Sequence, residues 1–433
     1  MMLVAVGVAL TLWLFVIALA KPRLIIYAII ALAPTQFIFI PVSTFFLSPA
    51  DLLVIAAGAA FAVRLARGDR ESLVALWQHR YILLMLAAYV VGFVVLDTFS
   101  RTLVRVPMAA LPSVLACEVL RKRLYLRRAA TALVIAGVVD SAYGLVFYAM
   151  GIPIYPGRFS GMSGVNFSAT AIITAAAVLF AQHARARRWV TLARPGALIA
   201  MGAATLSQMG ALAFLTTWFV VLRRVMTPRN IVRMASVAAV VVGLALTVPS
   251  LRERLASRNQ REMGLDGIER NSADIRWMVL RTAFRAFRES PLVGIGYSRF
   301  QEYSVSDPEI DQSTAGLGYG THNTYVEVLV EGGLFAVICF GLHFSQYVGG
   351  IVATLRSFRR RKDTIVASAL VGLPIVLVAA ALSNVLLVYH FWAVCGIALT
   401  GLTVRRREMQ VEDGSPAPDR ALDRAGFRGA PAV

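Results

Sequence analysis

Runs of apolar residues recur along most of the chain, separated by short polar segments. An α-helix of about 17–25 apolar residues crosses a hydrocarbon core of ~30 Å. The apolar runs fall at roughly 3–20, 24–42, 50–66, 80–97, 102–118, 129–150, 168–183, 195–208, 210–223, 231–249, 328–353, 364–382 and 385–403. The pattern predicts an all-α polytopic membrane protein with about 12–13 transmembrane helices. The short runs on either side of Ser207-Gln208 form one bent helix or two.

The spacing of the apolar runs divides the chain into four parts. Residues 1–249 are predicted to form an N-terminal transmembrane bundle, and residues 328–404 the C-terminal transmembrane helices. Between them, residues 250–327 make the single large extramembrane loop, which is predicted to contain helices. The tail, 405–433, is rich in Pro, Gly, Asp and Arg without apolar periodicity, and is predicted to be disordered and cytoplasmic.

The charge distribution predicts the orientation. The chain carries 43 Lys and Arg against 24 Asp and Glu, a net charge of +19. A basic chain can bind nucleic acid, but here the basic residues cluster in alternate connections between apolar runs. By the positive-inside rule those connections are cytoplasmic and residues 250–327 lie outside, in the periplasm or its equivalent. The charge therefore indicates membrane topology, and no nucleic-acid partner is predicted.

Several motifs are absent from the sequence. The three cysteines, Cys117, Cys339 and Cys395, lie in or beside apolar runs, with no CxxC and no zinc-ligand spacing. Walker, HExxH, Gly-x-Ser-x-Gly and DxD motifs are also missing. Neither a metal nor a cofactor is predicted.

The large loop contains an arginine-rich helix, within "NSADIRWMVLRTAFRAFRESPLVGIGYSRF", residues 271–300. On a helical wheel Arg281, Arg285 and Arg288 share one edge, whereas Arg276 falls inside the apolar face. A guanidinium in apolar surroundings requires an anion or a dense shell of hydrogen bonds. Arg276 is therefore predicted to clamp a phosphate or carboxylate, or to form a structural ion pair with an acid of the loop.

A polar segment, "THNTYVEVLVEGG", precedes the next apolar run. His322 can exchange a proton near neutral pH, and Thr321 and Asn323 offer it orienting hydrogen bonds. Glu327 and Glu331 lie one turn apart at a helix start, where they assist His322 or only complement the helix dipole. The segment predicts an active site at the external membrane surface, with a structural histidine as the alternative.

A second external polar site is predicted in the loop "IPIYPGRFSGMSGVNFS", residues 151–167. Arg158 is its one basic residue, and Asn166 adds an amide. The alternative for Arg158 is an anchor to lipid headgroups.

Three blocks resemble the O-antigen ligase family, which includes O-antigen and exopolysaccharide polymerases. They are "HNTYVEVLVEGGLFAV", "RWMVLRTAFRAFRESPLVGIGYSRF" and "GRFSGMSGVNFSAT". Two positions depart from the family pattern. Leu280 stands where an aromatic residue often follows the clamp arginine, and Gln208 stands where the family often has the arginine of Ser-Arg-Gly.

The resemblance implies a GT-C-like, metal-independent, inverting glycosyltransferase of the bacterial inner membrane with its site facing the periplasm. The donor would be a glycan on a polyprenyl diphosphate such as undecaprenyl diphosphate, and the acceptor a hydroxyl of lipid A-core or of a growing glycan. His322 would activate the acceptor hydroxyl, oriented by Glu331 or Asn323. Arg276 and Arg158 would bind the donor diphosphate. The supporting residues would be Asn323, Tyr325 and Asn166.

Two alternatives remain at this point. A polymerase would use the same donor with another lipid-linked glycan as acceptor. A lipid-linked glycan flippase or secondary transporter would distribute charged residues through the span interiors around a midplane site. The polar residues of this chain concentrate at one face, which favours an enzyme.

Overall fold

The structure is a computed structural model and is almost entirely helical, which confirms the all-α class. It describes residues 2–37, 40–42, 45–96, 105–150, 164–184, 194–195, 197–199, 201–202, 208–222, 226–247, 262–263, 269–270, 272–308, 310, 318–357 and 363–412.

The elements follow one another in the order predicted for a membrane bundle, with two short antiparallel ribbons added. The first part contains α1 (Met2–Ala20), α2 (Pro22–Leu32), a 3₁₀ turn (Ala33–Phe37), β1 (Ile40–Val42), β2 (Phe45–Leu47), α3 (Pro49–Ala66), α4 (Arg70–Gln78), α5 (Arg80–Leu96), α6 (Arg105–Val119), α7 (Arg123–Ala149) and α8 (Gly164–Gln182). The second part contains α9 (Gln208–Thr217) with a π-helical turn (Trp218–Leu222), α10 (Pro228–Thr247), β3 (Glu262–Met263), β4 (Glu269–Arg270), α11 (Ser272–Glu289), α12 (Phe300–Ser304), α13 (Thr324–Ser357), α14 (Thr364–Leu370), α15 (Gly372–Leu382) and α16 (Tyr389–Glu412).

Helix starts are fixed by local capping. Ser48 and Asp51 form a capping box at the start of α3, with Pro49 at its first position. Asp363 accepts hydrogen bonds from the backbone N–H groups of Ile365 and Val366, both at 3.1 Å, at the start of α14. These caps satisfy N–H groups that have no partner inside the helix.

The interior of the bundle is packed through small residues. Helix α16 lies against α6, α7 against α8, and α13 against α5. A Cβ on Gly396 of α16 would lie 2.6 Å from the Cα of Ser113 in α6. Close backbone approach of this kind is characteristic of helix packing in membranes.

Four helices among the described residues are long and apolar enough to cross a membrane: Pro49–Ala66, Arg123–Phe147, Thr324–Arg356 and Thr364–Leu382. The bent pair Arg70–Gln78 and Arg80–Val94 gives a fifth span if it is counted as one. This confirms a polytopic membrane protein. The described part of the chain also contains three shorter apolar helices, Ala9–Ala20, Asn166–Gln182 and Met209–Leu222.

The predicted apolar run 24–42 is not one continuous helix. Helix α2 ends at Leu32, and the chain continues as a 3₁₀ turn and then as β1. Pro34 and Pro41 lie in this stretch, and proline lacks the N–H group that a continuous helix requires. Hydropathy alone does not report such a break.

Charged side chains gather at one end of the bundle. Glu118 of α6, which is 4% exposed, receives two hydrogen bonds from Arg64 of α3 at 2.7 and 2.8 Å. At the same end Arg123 of α7 pairs with Asp363 and with Glu408 of α16. The span Thr364–Leu382 begins at this end, so residues 383–388, which follow it, lie at the opposite end.

The structure corrects the start of the predicted disordered tail. Helix α16 continues to Glu412, eight residues into the segment predicted to be irregular. The ion pairs that Glu408 makes with Arg405 and Arg123 hold this extension against the bundle. Residues 413–433 lie outside the described residues.

The described part of the large loop has a small core of its own. Buried residues of α11, including Met278, Val279 and Ala283, pack with Phe300 of α12 and Val330 of α13. This core joins the arginine-rich helix to the helix that follows His322.

Candidate functional site

Helix α13 is kinked nine residues after its start, at Gly333. The backbone there has φ 68° and ψ −171°, which divides a short first part from the long membrane span. The N–H group of Leu334 donates to the carbonyl of Pro291 at 2.8 Å. A Cβ on Gly333 would lie 2.3 Å from the carbonyl oxygen of Leu292. Glycine is therefore required where the turn after α11 enters the kink.

The turn after α11 is fastened to α13 by backbone hydrogen bonds. The N–H of Ile295 donates to the carbonyl of Val330 at 2.9 Å, and the N–H of Gly296 to that of Glu331 at 3.2 Å. Gly294 has φ 71°, and a Cβ there would lie 2.4 Å from the Glu331 carbonyl. The sequence "PLVGIG" thus forms a fixed joint between the two helices of the candidate site.

The side chain of Glu331 serves the same joint. It is 4% exposed, and its carboxylate accepts hydrogen bonds from the N–H groups of Ser298 at 2.8 Å and Phe300 at 3.2 Å. Ser298 has φ 63°, in the left-handed region that residues other than glycine rarely adopt. Glu331 therefore positions the backbone between α11 and α12, in contrast to the predicted direct role beside His322.

His322 is exposed and has φ 49°, also in the left-handed region. Neighbouring contacts hold it there: the Thr321 hydroxyl donates to Asn384 Oδ1 at 3.0 Å and lies 3.2 Å from the Asn323 carbonyl. A non-glycine residue in this conformation costs roughly 1–3 kcal/mol and occurs preferentially at functional sites. The sequence indicated His322 as a functional residue because of its imidazole. Its left-handed backbone conformation is an independent reason to assign it to the functional site.

Asn323 and Thr324 anchor the segment to the bundle. The Oδ1 atom of Asn323 caps α13 by accepting from the N–H groups of Tyr325 at 3.0 Å and Val326 at 3.2 Å. The Thr324 hydroxyl donates to the Ser383 carbonyl at 2.8 Å. Sequence reasoning missed the latter contact, because it joins segments about sixty residues apart.

Arg276 is exposed, which corrects the prediction that its guanidinium lies in apolar surroundings. The apolar face on the helical wheel does pack into the loop core, through Ile275, Val279, Ala283, Ala286 and Phe287, and the long Arg276 side chain extends from it to water. Arg281, Arg285 and Arg288 are exposed, as predicted, and Arg285 pairs with Asp307.

Arg276 and His322 are close enough to interact electrostatically. Partial desolvation of the imidazole, and then the positive charge of Arg276, lower the pKa of His322 from its ordinary 6.5. The imidazole is therefore neutral at neutral pH and able to accept a proton. The exposed guanidinium of Arg276 can contact an anion.

A buried polar cluster lies behind this site. Tyr297 and Tyr89 of α5 stack edge to face with ring centroids 5.0 Å apart. Burial, and then the carboxylates of Glu327 and Glu331, raise the pKa of Tyr297 well above its ordinary value. The buried Oε2 atom of Glu327 has no hydrogen-bond partner in the described part of the chain. No sequence signal pointed to Tyr89, whereas Tyr297 falls within the "GIGYS" block.

The remaining predicted residues are not brought together here. Arg158 lies outside the described residues. Asn166 is exposed near the start of α8, and its carbonyl accepts from the Thr170 hydroxyl at 2.9 Å. The Tyr325 hydroxyl donates to the Leu377 carbonyl at 3.1 Å. Over the described ranges, no group of three or more His, Cys, Asp or Glu residues could hold a metal ion.

The chain is a multi-pass membrane protein. Its candidate site lies at one end of the helix bundle, next to residues 383–385. Residues 196–341 match the family model described as O-Antigen ligase. The matched segment contains α11, the "PLVGIG" turn and His322, and confirms the resemblance to the O-antigen ligase family. It supports a membrane glycan-handling function of the ligase or polymerase type. No curated protein matches the chain significantly.

Proposed function

We propose that this protein is a membrane glycosyltransferase of the O-antigen ligase type. It transfers a glycan from a polyprenyl diphosphate carrier to a sugar hydroxyl of lipid A-core at the periplasmic face of the inner membrane. The observation that carries the proposal is an exposed His322 in a left-handed backbone conformation just before α13, within electrostatic range of the exposed guanidinium of Arg276. The family match over residues 196–341 includes both residues.

The proposed reaction is a single displacement at the anomeric carbon. The acceptor oxygen forms the new bond while its proton passes to His322. The bond from the anomeric carbon to the diphosphate oxygen breaks, and the leaving diphosphate takes the electron pair. Arg276 stabilises the negative charge that develops there. Attack opposite to the leaving group inverts the configuration.

Rigid support of the two residues fits this chemistry. The "PLVGIG" joint and Glu331 hold α11 against the first part of α13. Positioned groups aligned with the reacting atoms accelerate a reaction because they require little reorganisation in the transition state. Glu331 acts in this proposal as a positioning residue.

The donor site is proposed to contain a second cation. Arg158 fills this role, since Gln208 replaces the arginine that the family often carries in Ser-Arg-Gly. The double variant Arg276→Ala/Arg158→Ala should then weaken donor use while the protein still folds. Unchanged donor affinity in that variant would contradict the clamp.

The proposed orientation rests on the charge distribution. The ion pairs of Arg64 and Arg123 lie at one end of the bundle, and the segment around His322 contacts residues 383–385 at the other. The positive-inside rule assigns the first end to the cytoplasm. The His322 end then faces the periplasm.

The direct test uses purified protein in vesicles with a labelled glycan on polyprenyl diphosphate and a lipid A-core acceptor. Wild-type protein should transfer the label, and His322→Asn should not. Asparagine is the matched control because it tolerates the left-handed backbone but cannot act as the base. Movement of the donor across the bilayer without transfer would contradict the proposal in favour of a flippase.

Deletion in the native host separates ligase from polymerase. Loss of glycan-capped lipid A-core supports the ligase. Lipid A-core capped by single repeat units, together with the loss of long chains, would contradict it in favour of the polymerase.

A further inference from the structure

Helix α11 has an apolar surface on each of two opposite sides. Its inner side is buried and packs through Met278, Val279 and Ala286 into the small core of the loop. On the outer side Trp277 is 62% exposed and Phe284 is 50% exposed. These two residues lie about two helical turns apart and therefore on one face. A water-facing helix has no reason to expose two large aromatic side chains in one row.

The outer row leads towards the lipid-facing side of α13. Leu292, which follows α11, is 68% exposed, and its carbonyl lies at the Gly333 kink. The membrane span starts at that kink with Leu334 and Phe335, which are 44% and 51% exposed. The Leu292 end of the row therefore lies beside the start of the long apolar part of α13.

Arginines lie beside the apolar row. Arg281 and Arg288 are exposed and, at helical spacing, lie on the flank adjacent to Trp277 and Phe284. A helix with an apolar stripe bordered by arginines is suited to the headgroup region of a bilayer, where it buries the stripe among acyl chains and contacts phosphates. Tryptophan is enriched at the same depth.

We propose that α11 is an interfacial membrane helix. Its outer row, Trp277, Phe284 and Leu292, inserts into the leaflet that borders the start of the α13 span, and Arg281 and Arg288 contact the phosphates of anionic lipids. The partner is the lipid surface of the same membrane. The inference is independent of the transfer reaction, because it depends only on exposure, charge and the position of the kink.

The test measures the membrane depth of single spin labels in full-length protein. Labels are placed at Trp277→Cys and Phe284→Cys, with Glu302→Cys as a matched control, since Glu302 is an exposed residue of the same loop. The three native cysteines are buried, and protein without an introduced cysteine gives the background. Nanodiscs of phosphatidylglycerol and phosphatidylcholine supply the bilayer.

Labels at positions 277 and 284 should collide severalfold more often with oxygen than with a water-soluble nickel chelate, and the label at 302 should show the reverse. Equal access of the nickel chelate to all three labels would overturn the proposal. Exclusion of both oxygen and the chelate at 277 and 284 would also overturn it, because it indicates a protein partner or a second copy.

The arginine contacts are tested separately. In the labelled Arg281→Gln/Arg288→Gln protein, or in nanodiscs of phosphatidylcholine alone, the label at 277 should lie nearer to water than in the anionic bilayer. An unchanged depth in both cases would overturn the assignment of the arginines to lipid phosphates. Because neither readout uses glycan transfer, both are independent of the proposed enzymatic activity.

Discussion

The joint between α11 and α13 makes Gly294→Ala the most informative substitution. Gly294 has φ 71°, and the added Cβ would lie 2.4 Å from the backbone carbonyl of Glu331 and 2.6 Å from the nitrogen of Gly332. Both contacts are to backbone, so no side-chain rotation relieves them. The alanine variant must therefore separate the turn from α13.

The expected loss of stability is the sum of three effects. The left-handed backbone costs an alanine roughly 1–2 kcal/mol. Overpacking adds about 1–3 kcal/mol, and the strained hydrogen bonds of Ile295 and Gly296 to α13 contribute about 1 kcal/mol each when lost. Gly294→Ala should destabilise the protein by about 4–7 kcal/mol.

Gly68→Ala is the matched control. Gly68 has nearly the same backbone angle, φ 74°, but nothing lies within 4 Å of its added Cβ. This variant should lose only about 1–2 kcal/mol, the backbone term alone.

Both variants are compared by thermal unfolding in detergent at one scan rate, because unfolding of membrane proteins is commonly irreversible. Glycan transfer in vesicles is measured in parallel. Gly294→Ala should melt well below Gly68→Ala and should lose transfer, since α11, which carries Arg276, would shift relative to the helix that follows His322. Equal melting temperatures for the two variants would refute the reasoning.

Four further predictions concern single groups. His322→Gly should raise the apparent melting temperature, because glycine adopts the left-handed backbone conformation of this position without strain, and it should abolish transfer. A lower melting temperature would show that the backbone at His322 is not strained. The transfer rate of the wild type should fall as the pH drops below 6.5 through the lowered pKa of His322. In Arg276→Gln this fall should occur at higher pH, because the positive charge that lowers the pKa is gone. A fall at the same or a lower pH would contradict the electrostatic interaction between the two residues. Glu331→Ala should lower the stability by roughly 2–4 kcal/mol in thermal scans, because it leaves the buried N–H group of Phe300 unpaired and removes the hydrogen bond to Ser298. Glu331→Gln should lower it less, and equal losses would argue against the hydrogen bonds. Arg64→Met should lower the free energy of unfolding by about 3–5 kcal/mol, because it leaves the buried carboxylate of Glu118 without its ion-pair partner. Arg64→Met/Glu118→Leu should recover most of the lost melting temperature. A double variant that melts no higher than the single variant would refute this explanation.

The membrane class was predictable because apolar runs report burial in lipid directly. The positions at which helices break could not be predicted from hydropathy. The 3₁₀ turn after α2 and the kink at Gly333 depend on contacts with distant segments, which hydropathy along the chain does not register. Pro34 and Gly333 were visible as residue types, but their consequences depend on tertiary packing.

The chemistry of the site was predictable in part. His322 and Arg276 stood out because an imidazole and a guanidinium are costly beside a membrane span unless they have partners. The apolar face that the helical wheel gives α11 is the face that packs into the loop core, whereas the exposure of the Arg276 side chain required the structure. The positioning role of Glu331 required the structure, since its partners are backbone N–H groups about thirty residues earlier.

The central claim is that His322 and Arg276 act on one glycan-transfer reaction. A double-mutant cycle tests it most directly, with transfer from a labelled polyprenyl diphosphate donor measured for the wild type, His322→Asn, Arg276→Gln and the double variant. Residues that act as one unit give strongly non-additive losses. We predict that each single variant loses most activity and that the double variant is barely slower than His322→Asn. Losses that multiply independently, or full transfer by His322→Asn, would contradict the account.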